Sequence, residues 1–268
     1  YGTAGAFHGT FDGDGHSIKI SANGGKCIGL FSNSDDTTVI KNVVVEGTVT
    51  GEGEVGGVMG SNHGLVDGCV NRAAVSGSAS YSEAGGVVGQ NYHGSIADCG
   101  NEGTVTSSAY AGGIVGDNYS YLGSTSITNC YNWGEIKGSS ASGGIVGQEG
   151  TSGSSVISNC YSTGTLSGTR GGIIGYAKAD GSYTGRAVLT NCWWLESTAA
   201  SAAPSTAQLT ACRSFTESEY GALLESLNAN RGEGSEWFAD AANDQKPAHR
   251  QLLGETCIIS FAVDGVVI

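Results

Sequence analysis

A parallel β-helix of about six coils, all-β apart from a small helical C-terminal cap, is the fold that the sequence predicts, on three observations. The first is a doubled glycine that returns at Gly56-Gly57, Gly85-Gly86, Gly112-Gly113, Gly143-Gly144 and Gly171-Gly172, with a degenerate copy at "IGLFS" where Gly29 takes the second place. The second glycines are 28, 29, 27, 31 and 28 residues apart, a period that marks a repeat architecture. The second observation is a column reading Val43, Cys69, Cys99, Cys130, Cys160 and Cys192, with Ile40, Val66, Ile96, Ile127, Ile157 and Leu189 three residues before it. Six residues after it stand Val49, Val75, Val105, Ile136 and Leu166, until Thr198 breaks the pattern. The third is that each repeat offers three short pieces, such as "GGIVG", "SITNCYN" and "GEIKG". They are too short and too rich in glycine and β-branched residues for helices.

One such coil cannot bury its apolar face alone. Stacked coils about 4.8 Å apart give each backbone N–H and C=O a partner above and below. The Ile/Val columns then fill the bore, and the glycines serve corners at positive φ and close approach of neighbouring chains. Asn129, Asn159 and Asn191 precede the cysteines, with Asn42 and Asp98 in the same column. They suit left-handed corners, and their amides can bond along the axis. The column predicts buried free thiols rather than disulfides, because Val43 substitutes for a cysteine in one coil and cannot pair. The redox state of Cys27, Cys212 and Cys257 stays open. No CxxC or paired histidines point to zinc, and no metal or cofactor is predicted.

The ends differ from the middle. "FHGTFDGDGHSIKI" alternates Phe7, Phe11, Ile18 and Ile20, which predicts a first, irregular coil, and its "FDGDGH" reads as a tight turn rather than a calcium loop. The repeat domain spans 1–200. Residues 201–254 are a linker and a helical cap, with "STAASAAPSTA" (197–207) as linker. In "TESEYGALLESLNANRG", Thr216 and Glu219 form a capping box and Tyr220, Leu223, Leu224 and Leu227 the apolar stripe. This helix is predicted to cover the last coil. Residues 255–268 alternate like a strand, either packing back on the solenoid or opening a further domain.

Composition narrows the function. The 268 residues hold 46 glycines but only 2 prolines, which excludes collagen. Net charge is −13, with only 12 Lys and Arg. That argues against nucleic acid and against anionic lipid. No apolar run approaches the ~18 residues of a membrane span. The chain opens at Tyr1 without a signal-peptide pattern, which predicts either a processed secreted chain or an excised piece.

The coils "GGVVGQNYHGSIADCGNEGTV" and "GGIVGDNYSYLGSTSITNCYNWGEI" resemble the GLUG-motif repeats of bacterial cell-surface proteins, including those beside IgA-peptidase regions. "FHGTFDGDGHSI…IGLFS" is similar to the opening coil of that family and "ALLESLN…W" to its closing segment, so the likeness covers roughly residues 5–253. Departures are Leu30-Phe31 in the first coil, Arg72-Ala73 where Glu-Gly is usual, and the lack of a closing Gly-Tyr-Pro. The resemblance implies an extracellular, secreted or cell-surface location and carries no catalytic signature.

Binding is therefore the expected role, as an adhesin-like stalk or module for host or neighbouring-cell glycan or protein, beside other domains of a larger surface protein. Tyr131, Tyr161 and Trp193 directly follow cysteines, so alternation points them outward in one file. That file suits sugar rings or protein contacts; packing beneath the cap is the equal alternative. Loss of Trp193 is expected to weaken binding while leaving the melting temperature nearly unchanged. Tyr92, His93 and Tyr119, in the variable segments after the glycine pairs, form a second candidate surface. The alternative is a carbohydrate-active enzyme, with Asp67 and Asp98, or Glu102 and Glu135, as the paired carboxylates that hydrolysis needs. The third reading is a structural spacer.

Overall fold

The structure, a computed structural model, describes residues 5–121, 123–178, 187–204 and 207–249, and the backbone of Thr256–Cys257, Ala262–Val263 and Val266–Val267. It is a solenoid of about six turns built from parallel strands. Along one face an eight-stranded sheet places Phe11, Ile40, Val66, Ile96, Ile127, Ile157, Leu189 and Leu209 in register. The six inner members are wholly buried. A second face is a six-stranded sheet running from Phe31–Asn33 to Ile174–Ala177.

Each coil has more strands than the three pieces read from the sequence. One coil runs Val88–Tyr92, Ser95–Ala97, Gly100–Asn101, Val105–Ser107 and Tyr110–Gly112. The extra breaks have a local cause. The residue before each cysteine is left-handed, with φ of 54° at Asn42, 52° at Asp98, 53° at Asn129, 56° at Asn159 and 51° at Asn191. Short polar side chains tolerate that corner best.

The paired glycines serve one of the two purposes expected of them. Among the described residues none of them has positive φ. What they provide is room. A Cβ on Gly113 would lie 2.1 Å from the Gly144 carbonyl oxygen and 2.5 Å from Asn132 Cγ. Asn71, Asn101 and Asn132 are fully buried, and their amides form a ladder against the second glycines. Asn71 Nδ2 donates to Asn101 Oδ1 at 2.8 Å, Asn101 to Asn132 at 2.8 Å, and Asn132 to Ser162 Oγ at 3.2 Å. Two further ladders run along the axis. Asn62 donates to Asn91 (2.9 Å), Asn91 to Asn118 (3.0 Å) and Asn118 to Glu149 Oε2 (2.8 Å). At the left-handed corner Asn191 donates to Asn159 (2.7 Å), Asn159 to Asn129 (2.7 Å) and Asn129 to Asp98 Oδ1 (2.9 Å). Every ladder ends in an oxygen that accepts. Buried amides require such pairing, because an unmet donor costs about 1–3 kcal/mol.

The cysteine column is as expected and one member longer. Cys69, Cys99, Cys130, Cys160 and Cys192 are free and buried. Cys192 N–H donates to Cys212 Sγ at 3.4 Å, the same contact that Cys130 N–H makes with Cys160. Cys27 and Cys212 are free and half-buried; the side chain of Cys257 lies outside the described residues. Burial pushes the Cys99, Cys160 and Cys192 thiols well above their ordinary value, and the thiolate is the reactive form. The five buried thiols are therefore expected to resist alkylation in the native protein and to label fully in denaturant. A disulfide among Cys99, Cys130 and Cys160 in mass spectrometry would overturn this. Cys130→Ser is expected to cost about 1–3 kcal/mol by burying a hydroxyl.

The C-terminal region departs from expectation twice. The repeat does not stop at Trp194. Ser201 and Ala202 carbonyls accept from Gly172 and Ile173 N–H at 2.8 and 2.7 Å, so part of the expected linker replaces a glycine corner. Short strands Gln208–Thr210 and Arg213–Phe215 complete a contracted coil. The capping box forms, Thr216 N–H donating to the Glu219 carboxylate at 2.8 Å, and it leads through a 3-10 turn into the helix Tyr220–Ala229. That helix lies along the flank of the solenoid rather than over its end, burying Tyr220, Leu223 and Leu227. A hairpin of Trp237–Asp240 and Lys246–His249 extends the cover. Of the terminal segment 255–268, the backbone of Thr256–Cys257 pairs in parallel with Ser17–Ile18. Its remaining expected strand lies largely outside the described residues.

Candidate binding surfaces

The aromatic file exists, and it is covered. Residues just after the corner column stand in register as Val44, Val70, Gly100, Tyr131, Tyr161, Trp193 and Arg213. Alternation does turn Tyr131, Tyr161 and Trp193 away from the bore. They are nevertheless only 3%, 0% and 7% exposed, packed with Phe215, Leu223, Leu227 and Trp237. This corrects the expectation of an open strip. Three large rings on consecutive rungs are an apolar surface of the kind that the amphipathic helix needs to bury. Polar bonds fix the cover. Asn159 Nδ2 donates to the Leu227 carbonyl at 3.0 Å and Trp133 Nε1 to Tyr161 Oη at 2.6 Å, while Tyr161 Oη donates to the Pro247 carbonyl. The Arg213 guanidinium stacks over Trp193, 4.3 Å from its centroid.

The second predicted surface is assembled on the six-stranded face. Tyr92 and Tyr119 stack at 5.3 Å with an interplanar angle of 26°. His63 lies 5.0 Å from Tyr92 on the preceding coil, and His93 meets Tyr92 edge-on at 4.4 Å. Ser120 Oγ holds His93 Nδ1 at 3.0 Å. All four rings are half-buried, because alternation turns Asn91 and Asn118 inward to their ladder and the rings outward. Burial, followed by the neighbouring His93, holds the His63 imidazole below its ordinary value. The sequence pattern joins Tyr92, His93 and Tyr119 on this surface but not His63, which the register of adjacent coils brings to Tyr92.

Of the four candidate carboxylates, Asp98 and Glu102 line a cavity of about 820 Å³. Asp67 stands in register with Ala97, the residue before Asp98, so the two acids lie on adjacent rungs, and burial, then the Asp98 charge, raise the Asp67 carboxyl above its ordinary range. Asp98 is also structural. Oδ1 terminates the corner ladder, Oδ2 accepts from Ser235 Oγ at 2.7 Å, and His249 Nε2 stands 4.0 Å from Oδ1. Glu102 and Glu135 are separately engaged, by Arg72 at 2.8 Å and by Lys137 at 2.8 Å. Tyr131 Oη also donates to Glu102 at 3.0 Å.

The cavity has a plain origin. Tyr131, Tyr161 and Trp193 prop the C-terminal cover away from the solenoid, but lower in the same column the side chains shrink to Gly100, Val70 and Val44. The Tyr131 ring fills the space over Gly100, and the hairpin overhangs Val70 and Val44, with Phe238 and Ala248 above. Gly100 is required here, since a Cβ would meet the Tyr131 ring at 2.2 Å.

Comparison with known proteins agrees with this architecture. The family model of the GLUG motif matches residues 80–106, the coil that carries Gly85-Gly86, Cys99 and the Asn101 rung. Halomucin of Haloquadratum walsbyi is 35% identical over 88 residues, which is 31% of this chain and about 1% of that protein. A solved structure from Bacteroides ovatus, provisionally named an immunoglobulin A1 protease, superposes with a TM-score of 0.64 at 24% identity, over 90% of this chain and 77% of that one. At that identity the likeness is one of fold. The chain is a parallel β-helix that carries the GLUG motif.

Proposed function

We propose that this β-helix is a secreted or cell-surface module that binds glycan or protein of a host or neighbouring cell through the open rings of Tyr92, His93 and Tyr119, beside other domains of a larger surface protein. The observation that carries the reading is that strip of half-exposed rings on successive coils of a rigid sheet, spaced by the rung repeat. Aromatic faces on a fixed scaffold suit flat, elongated partners. Surface location draws its support from the motif and from the −13 net charge.

The double variant Tyr92→Ala/Tyr119→Ala, tested on glycan and host-protein arrays, is expected to lose roughly five- to 150-fold in affinity, since two stacking contacts are each worth about 0.5–1.5 kcal/mol. Unchanged binding by a folded double variant would sink the reading. The enzyme alternative has one observation in its favour, the placing of Asp67 and Asp98 on adjacent rungs. Product release from the arrayed sugars, abolished in Asp67→Asn, is the result that would establish it instead.

A further inference from the structure

We propose that the cavity beneath the C-terminal hairpin is a second binding site, shaped for one ring of a neutral saccharide. The argument begins with its floor. Val44 and Val70 occupy consecutive rungs, and over Gly100 on the next rung lies the Tyr131 ring. Together they line the cavity as an apolar strip about 10 Å long at about 4.8 Å per rung. Phe238, 47% exposed, and Ala248 face it from the hairpin. A pyranose presents two C–H faces and a polar rim, and a site with apolar floor and roof accepts those faces.

The margins supply the rim's partners. Two positions along the strand on either side of the floor, about 6–7 Å away at the rise of a strand, side chains again point outward. On one margin Arg72 is held by Glu102, Nε to Oε2 at 2.8 Å, a bond that leaves its terminal nitrogens as further donors. On the other margin stand Asp98 and His249, each already fixed in place by Ser235 Oγ at 2.7 Å and the Asn129 carbonyl at 2.6 Å. The oxygens of Asp98 and Glu102 are engaged by Asn129, Ser235, Tyr131 and Arg72, while each carboxylate has about four acceptor positions. Sugar hydroxyls can therefore donate to Asp98 and Glu102 and accept from Arg72. The volume of about 820 Å³ falls within the range of small-molecule sites.

Charge sets the class. Asp98, Glu102, Glu236 and Asp240 line the cavity against Arg72 and His249, and Arg72 is already neutralised by Glu102. A uronic acid would meet like charge. Neutral hexoses and N-acetylhexosamines are the fitting ligands. This site is separate from the Tyr92–Tyr119 strip and does not depend on it.

The test is titration of the whole chain with glucose, galactose, mannose, N-acetylglucosamine and glucuronate, alone and as short oligosaccharides, followed by saturation-transfer NMR and calorimetry. At least one neutral sugar is expected to bind, and glucuronate at least about tenfold more weakly. Val70→Trp, which fills the floor, should abolish binding. Phe238→Ala, at a half-exposed ring whose loss leaves the core intact, should weaken it roughly three- to tenfold. Binding by no neutral sugar, stronger binding of glucuronate, or equal binding by the Phe238→Ala protein would each overturn the proposal. The last of these decides the matter even if Val70→Trp fails to fold.

Discussion

Tyr161→Ala is expected to lower the melting temperature by roughly 10 °C, the largest effect of any single substitution proposed for this chain. The ring is wholly buried outside the bore, 6.2 Å from Tyr131, 5.8 Å from Trp237 and 6.5 Å from Phe215. Deleting a ring of that size from a packed site costs about 3–5 kcal/mol, because the surroundings collapse only in part. It also removes the acceptor of Trp133 Nε1 and the donor to the Pro247 carbonyl. Tyr161→Phe isolates those bonds and should cost about 1–3 kcal/mol. Trp193→Ala belongs with Tyr161→Ala. Its ring is packed against Phe215 and its Nε1 donates to Asn191 Oδ1 at 2.9 Å, so it too should melt lower, contrary to the expectation for an open binding residue. The check is thermal unfolding by circular dichroism alongside proteolysis of the C-terminal segment. A Tyr161→Ala protein that melts like the parent would show that the helix and hairpin add nothing to the stability of the solenoid.

Stability is expected to fall as pH rises from about 5 to 8, and Glu149→Gln to remove much of that slope. Glu149 ends the Asn62–Asn91–Asn118 ladder inside the solenoid. Oε2 accepts from Asn118 Nδ2 at 2.8 Å and Ser155 Oγ at 3.0 Å. Oε1 finds no hydrogen-bond partner among the described residues. Burial pushes the carboxyl up to about 7 from an ordinary 4.5, with the nearby Asp117 charge adding to the rise and the Thr151, Asn118 and Ser155 bonds opposing it. The folded state thus binds a proton that the unfolded chain has already released. Its contribution is complete below about pH 4 and is lost as pH climbs through about 7. A difference of this size corresponds to about 3 kcal/mol. Glu83, raised to about 8 first by burial and then by Asp117, acts in the same direction. His249 opposes them in the lower part of this window, as does His63, whose value burial also lowers. The contribution of each imidazole is fully present above about 6.5 and falls away as pH drops below it. The side-chain amide introduced by Glu149→Gln keeps an acceptor for Asn118 and removes the charge. The variant should match the parent at pH 5 and exceed it by up to about 3 kcal/mol at pH 8, in urea unfolding across that range. Parallel slopes in the two proteins would show that Glu149 is already ionised without cost.

Much of the architecture is written in the sequence because a solenoid is locally encoded. Each coil contacts chiefly its neighbours, so the same packing problem recurs about every 30 residues and leaves the same residues at the same spacing. Ile96 and Ile127, Cys99 and Cys130, and Asn129 and Asn159 could be assigned to shared columns before any coordinates, and even the left-handed corner was legible from Asn42 and Asp98. Where the period failed, the reading failed with it. Leu209, Ala211 and Cys212 keep the offsets of Leu189, Asn191 and Cys192, but the coil between them is contracted to 20 residues and was passed over. Alternation could also say that Tyr131, Tyr161 and Trp193 leave the bore. It could not say whether water or another part of the chain meets them, since that depends on where a segment roughly 30 to 100 residues later comes to rest. Tertiary structure alone decided it. The helix and hairpin lie down on the flank, where burying the three large rings of Tyr131, Tyr161 and Trp193 stabilises them. The same choice closes one candidate surface, leaves Tyr92 and Tyr119 open, and creates the cavity over Val44 and Val70, whose walls come from segments that no sequence period connects.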